Sequence, residues 1–267
     1  MNAPSSHRFA MQDNSDPALL PLAGYPVRTT SAAELSALLQ RRLLLARKTV
    51  LVFANTNFVM KCQGMRTWLC RDELIVVNDG IGMDIAALLK HGQRFRENLN
   101  GTDFVPYLLK DLRIPRTLFL LGGKPGVASD ASTVMERDFG IKVVGIQDGY
   151  TAIAPEKLRA AINRSGADVV LVALGNPMQE VWVQHNMASL DANLFISVGA
   201  LFDFLSGGVS RAPMWIRDLR LEWLYRLWQE PERMARRYTV DIARFLVLCI
   251  RYPRRKIGSL NPEKLPL

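Results

Sequence analysis

From about residue 31 onward, short β-branched apolar runs alternate with stretches in which apolar residues recur every three or four positions. Runs at 50–54, 74–78, 117–121, 142–146, 168–174 and 194–198 predict strands, since an unbroken apolar run of this length suits a strand covered on both faces. Helical periodicity falls between and around them, at 34–47, 57–69, 83–91, 103–112, 129–139, 155–163 and 179–188. This alternation predicts βαβ units and an α/β, Rossmann-like fold: an open, mostly parallel sheet flanked by helices.

Most of the predicted strands run into polar or glycine-rich turns: Asn55-Thr56-Asn57, Asn78-Asp79-Gly80, Gly122-Gly123-Lys124, Gln147-Asp148-Gly149 and Gly175-Asn176-Pro177. In a parallel sheet these turns gather on the carboxyl edge, where helix N-termini offer free N–H groups to anions. That edge is the expected site. After Gly199-Ala200-Leu201-Phe202-Asp203 the strand pattern stops, and Arg211-Ala212-Pro213 opens an amphipathic helical region. The chain therefore divides into a flexible leader at 1–30, an α/β catalytic core at 31–205 and a C-terminal helical, basic appendage at 206–267.

Charge sharpens this division. From residue 206 onward there are 13 Lys+Arg against 6 Asp+Glu, so most of the formal net charge of +9 is local to the tail. Eleven of those thirteen are arginines, which favours forked recognition of phosphate over simple solubility. Arg226, Arg233 and Arg236 share a face on a near-continuous helix, beside a dense set that includes Leu219, Trp223, Tyr225 and Trp228; a solvated basic face is the plainer reading. The tail suits an anionic, apolar partner. Its run at 245–250 is far shorter than the ~20 apolar residues a membrane-crossing helix needs, so contact with a membrane is expected, not a span.

Other features narrow the chemistry. Cys62, Cys70 and Cys249 and the three histidines have no metal-ligand spacing, so neither a zinc site nor a disulfide framework is expected. The first 26 residues lack a basic start and a sustained apolar run, which argues against a signal peptide. Asp79, after an apolar strand and before Gly80, is either a helix cap or a base able to take a proton from an alcohol. Gly122 and Gly123 suit close approach of backbone to phosphate or sugar, or are turn punctuation. Asn176, Gln179 and Glu180 suit sugar hydroxyls or capping. A nicotinamide oxidoreductase is disfavoured because the first strand-to-helix turn lacks the glycine fingerprint.

Taken together, Asn78-Asp79-Gly80-Ile81-Gly82-Met83, Asn100-Gly101-Thr102-Asp103, Leu121-Gly122-Gly123, Leu174-Gly175-Asn176-Pro177-Met178-Gln179-Glu180, Val198-Gly199-Ala200-Leu201-Phe202-Asp203-Phe204, Arg211-Ala212-Pro213 and Leu221-Glu222-Trp223-Leu224-Tyr225-Arg226-Leu227 resemble the WecG/TagA/CpsF glycosyltransferase family, in family order. The resemblance implies an inverting bacterial enzyme at the inner face of the cytoplasmic membrane. It would be peripherally bound there, and would move a sugar from a UDP-sugar to a polyprenyl-diphosphate-linked sugar. It implies Asp79 as general base and Gln179 as an active-site glutamine. Arg226, Arg233 and Arg236 would be appendage arginines on the diphosphate, and Arg96, Asn100, Asp103 and Arg211 further substrate contacts.

Where many members have Thr-x-Asn after the first strand, this chain has Phe53-Ala54-Asn55 and then Thr56, with Asn57 where an acid is common. This departure, with the run at 95–103, is similar to the members that build xanthan-type exopolysaccharides and implies glucose as the sugar. UDP-N-acetylmannosamine with a polyprenyl-diphosphate-N-acetylglucosamine acceptor is the alternative. No Asp-x-Asp triplet is present, so no metal and no cofactor are expected. A non-enzymatic binder of lipid headgroups or nucleic acid would need only the basic tail, and would leave the polar turns unexplained; nucleic acid is not the expected partner.

Overall fold

The computed structural model describes residues 19–112, 116–208 and 240–252. Seven parallel strands form one sheet: β1 (Val27–Arg28), β2 (Thr49–Ala54), β3 (Leu74–Asn78), β4 (Thr117–Gly122), β5 (Lys142–Gln147), β6 (Val169–Ala173) and β7 (Leu194–Ser197), in the order β1-β3-β2-β7-β6-β4-β5. All six expected strands are present, and the α/β, Rossmann-like class stands. Around the sheet lie α1 (Ala32–Leu44), α2 (Thr56–Lys61), α3 (Arg66–Leu69), α4 (Ile81–His91), α5 (Gly101–Asp111), α6 (Val127–Phe139), α7 (Pro155–Ser165), α8 (Met178–Asn186), α9 (Leu201–Leu205) and α10 (Ile242–Arg251).

The two-residue period of the strands separates two cores. Val50, Val52 and Ala54 of β2 join Phe58, Trp68 and Phe195 on one face, whereas Leu51 and Phe53 join Leu35, Leu39, Phe104 and Ile196 on the other. Every residue of β2 and β3 is buried, which is why these strands read as continuous apolar runs. At one edge, β5 is only partly covered and pairs with β4 alone. The outgoing connection of β4 goes to this edge strand and that of β6 to β7 on the other side, so a crevice opens between neighbouring strands at their carboxyl ends.

Three features differ from the sequence expectation. First, the leader ends earlier than residue 30: Leu20, Leu22, Tyr25 and Val27 are buried, β1 pairs with β3, and the Tyr25 hydroxyl donates to Val59 O at 3.2 Å. Pro21 and Pro26 interrupt any periodicity there, so the segment reads as linker. Second, the helix expected at 57–69 is split into α2, a 3₁₀ turn at Gln63–Met65 and α3.

Third, the described end of the expected appendage, α10, is part of the body and packs on α4 and α2, with Phe245 and Cys249 fully buried. Burial pushes the Cys249 thiol up to about 12. The buried Lys90 Nζ donates to Cys249 O at 2.6 Å and to Tyr252 O at 2.8 Å, occupying carbonyls that a helix C-terminus leaves open and placing a cation at the negative end of its dipole. The Arg66 guanidinium lies 5.1 Å from the Tyr252 ring centre and 5.7 Å from that of Tyr25.

Candidate active site

A cleft of about 1150 Å³ opens along the carboxyl edge, and the ends or following turns of β2, β3, β4, β5, β6 and β7 all contribute to its wall. Helices α2, α4, α5, α8 and α9 all begin at this wall, so the first-turn N–H groups of five helices lie around it. Ile242 at the start of α10 also reaches it.

Asp79 is half-buried on the wall, and its backbone N–H donates to Ala54 O at 2.8 Å. The capping position of α4 is held by Gly80 at φ +92, a backbone conformation that favours glycine, so Asp79 is not the residue in that position. Asp79 Oδ2 instead accepts from Asn55 Nδ2 at 3.0 Å. Asn55 works at both ends of its amide: its Oδ1 accepts from Phe58 N at 3.0 Å and caps α2. Asn98 Oδ1 accepts from Gly80 N at 2.6 Å and fixes the turn from the other side.

Thr56 lines the cleft but is buried, and a Cβ on Gly82 would fall 2.7 Å from its Cγ2, so the first turns of α2 and α4 are in close contact here. Asn100 caps α5: its Oδ1 accepts from Asp103 N at 2.9 Å and from Thr102 Oγ1 at 2.7 Å, and its Nδ2 donates to Asp103 Oδ2 at 2.7 Å. Arg96 Nη1 is held by Glu34, at 2.7 and 2.9 Å from its two carboxylate oxygens. The Ser31 backbone N–H, then Arg96 and Thr30, lower the Glu34 carboxyl to about 2.

The two glycines at the end of β4 have separate reasons. A Cβ on Gly122 would lie 2.4 Å from Ala173 O, so this residue permits close strand packing and does not itself line the cleft. Gly123, at φ +74, does line it.

Asn176 and Gln179 also lie on the wall, at the start of α8. Glu180, expected among the substrate contacts, does not: it is fully buried behind them. Its Oε1 accepts from Gln179 Nε2 at 2.7 Å and from Asn176 Nδ2 at 2.9 Å, and Cys62 Sγ lies 3.9 Å from its Oε2. Burial raises its carboxyl above the usual range, opposed by the hydrogen bonds from Gln179, its own backbone, Asn176 and Cys62. Burial, with Glu180 alongside, also pushes the Cys62 thiol up.

Arg211, Arg226, Arg233 and Arg236 lie outside the described residues. Of the described residues on the wall, Lys61, Arg96 and Lys124 are cationic and Asp79, Glu97, Asp103 and Asp203 acidic. Lys61, Asn98 and Lys124 join the wall beyond the residues that the sequence pattern picks out. Lys124 was legible as part of the glycine turn, whereas Lys61 and Asn98 carry no signal apart from the fold that brings them here. Among the described residues no cluster of three or more His, Cys, Asp or Glu is placed to hold a metal ion.

A carboxylate steadied by an amide, in a cleft lined by amides and helix N-termini along the carboxyl edge of a parallel sheet, is the arrangement of an α/β enzyme with a polar substrate. The model of the Glycosyl transferase WecG/TagA/CpsF family matches residues 20–258, and the chain belongs to that family. It is a sugar-transferring enzyme, of a type that works with a sugar-nucleotide donor and a lipid-linked acceptor. Among the described residues no helix is long and apolar enough to cross a membrane.

Proposed function

We propose that this chain transfers glucose from UDP-glucose to a polyprenyl-diphosphate-linked glucose, forming a β-1,4 bond by single displacement in bacterial exopolysaccharide assembly. The observation that carries the reading is Asp79 on the cleft wall, held by Asn55. The acceptor 4-hydroxyl attacks the anomeric carbon of the α-linked donor, the bond from that carbon to the diphosphate oxygen breaks, UDP leaves, and the hydroxyl proton passes to Asp79. Inversion gives the β product.

Charge on the departing diphosphate is met by the helix N-termini around the cleft and by Lys61 and Lys124. Four acidic side chains share the described wall with three cationic ones, which supports a need for Arg226, Arg233 and Arg236 from the appendage as well. No metal is required in this scheme. The enzyme works at the inner face of the cytoplasmic membrane, with Trp215, Trp223, Trp228 and the basic run at 251–256 at headgroup level.

The test is transfer of radiolabelled sugar from UDP-glucose and, in parallel, UDP-N-acetylmannosamine to polyprenyl-diphosphate-glucose and polyprenyl-diphosphate-N-acetylglucosamine, by wild type and Asp79→Asn, with and without chelator. Glucose transfer that is lost in the variant and indifferent to chelator is expected. Transfer from the N-acetylmannosamine donor alone would overturn the choice of sugar. Chelator-sensitive turnover restored by magnesium or manganese would overturn the metal-free scheme. No transfer from any pair, with salt-sensitive binding of nucleic acid, would overturn the whole reading.

A further inference from the structure

We infer that Glu180 is a positioning residue whose buried carboxylate sets which way the carboxamides of Gln179 and Asn176 face on the cleft wall. An ionised carboxylate only accepts hydrogen bonds, so each amide must turn its nitrogen inward to it and its oxygen away. Both amides do so: their nitrogens lie 2.7 and 2.9 Å from the same Glu180 oxygen. Gln179 Oε1 then accepts from Gly199 N at 3.2 Å and Asn176 Oδ1 faces Asn57 Nδ2 at 3.5 Å. One carboxylate thereby links the turns after β2, β6 and β7, and reaches the end of α2 through Cys62.

Three observations separate this from ordinary core packing. Glu180 is fully buried, and among the described ion pairs none involves it. A buried carboxylate without a cation costs stability, which a neutral residue of the same size avoids. Two of the three side chains bonded to it are themselves on the cleft wall. Gln179 keeps one Nε2 hydrogen and one Oε1 lone pair beyond these bonds, a donor and an acceptor side by side. A sugar hydroxyl, which both donates and accepts, matches that pair. In this last respect the inference rests on the sugar-transfer reading of the cleft.

The test compares Glu180→Gln, which keeps length but adds a donor, with Glu180→Asp, which loses a methylene but remains acceptor-only. Side-chain amide signals of Gln179 and Asn176 are read by ¹H–¹⁵N NMR, assigned through Gln179→Ala and Asn176→Ala, alongside kcat and KM for transfer. In Glu180→Gln both amide signals should shift and exchange faster with solvent, and kcat/KM should fall about tenfold, the scale of one hydrogen bond to a charged group. Glu180→Asp should stay closer to wild type in both readouts. In a Gln179→Ala, Asn176→Ala background, Glu180→Gln should have almost no further effect on kcat/KM.

A residue that only fills space gives the opposite order, with Gln tolerated and Asp not, and the same penalty in every background; that order overturns the inference. Unmoved amide signals in Glu180→Gln, or moved signals with unaltered transfer, also overturn it. If wild type transfers none of the tested sugars, the sugar-transfer reading fails, and the amide spectra of the two variants still decide the positioning.

Discussion

After β3 the cleft wall carries one carboxylate with an amide nitrogen on it, and behind the wall at α8 lies another, yet the two stand in opposite relations to solvent. Asp79, just after β3, is half-buried on the cleft, and the amide of Asn55 donates to its Oδ2. Glu180, in the first turn of α8, is fully buried with two amides on one oxygen and a thiol near the other. A group that must take a proton from a substrate needs reach to the substrate and a place for the proton. A group that must hold other side chains still needs the reverse, saturation and isolation. Burial decides which carboxylate suits which task, although both follow strands that look alike in sequence.

The largest separation between the two carboxylates comes from removing charge at Asp79. Asp79→Asn should lower kcat by ~10²–10⁴-fold, the usual contribution of a positioned general base, while the melting temperature stays within about a degree or two of wild type because the site is half open. A variant that melts much earlier, or one that retains wild-type kcat, would break the comparison by making Asp79 structural.

Next come the outer partners. Asn55→Ala removes both the cap of α2 and the hydrogen bond to Asp79, so it should cost ~1 kcal/mol of stability by loss of the cap and about tenfold in kcat by loss of orientation. Urea unfolding and steady-state kinetics on the same preparation measure the two effects. Cys62→Ala removes the described side-chain partner of Glu180 that is not a cleft-wall amide, so it should lower kcat/KM by less than about threefold. If the cysteine variant loses as much as the asparagine variant, the two carboxylates are not organised differently.

The strands and most helices were legible because β2, β3, β6 and β7 are covered on both faces and their apolar runs are unbroken. The carboxyl-edge turns were legible for the same reason, since strand ends fix where they fall. What was hidden depends on contacts distant in sequence. The segment holding Tyr25 reads as linker because its prolines break any period, and contacts distant in sequence, with β3, Val59, Arg66 and His91 among them, give it a place. The docked end of α10 is hydrogen-bonded by Lys90, 159 residues before Cys249, which as a sequence position is one more charged residue in a helix. Glu180 could be named as a site residue but not separated from Gln179, because adjacent positions on a helix face different ways and only the packing of α8 against β7 and α2 shows which one meets the cleft.

The effect most specific to the buried carboxylate is on stability and does not involve turnover. Glu180 has its folded-state carboxyl raised above the ordinary value of 4.5, chiefly by burial. Between that value and the raised one, the folded protein keeps a proton that the unfolded chain has released, so stability falls as pH rises through this window and the loss is complete above it. Cys62, the titratable side chain next to Glu180, has its thiol pushed upward and stays neutral throughout, so it adds no opposing step. Relative to Glu180→Gln, wild type should therefore lose unfolding free energy on going from acid toward neutral pH, by about 1.4 kcal/mol for each unit of displacement. Urea unfolding of both proteins from pH 4.5 upward measures the difference. Parallel curves would mean that the carboxylate is not held out of water, and would remove the physical contrast with Asp79 on which its positioning role depends.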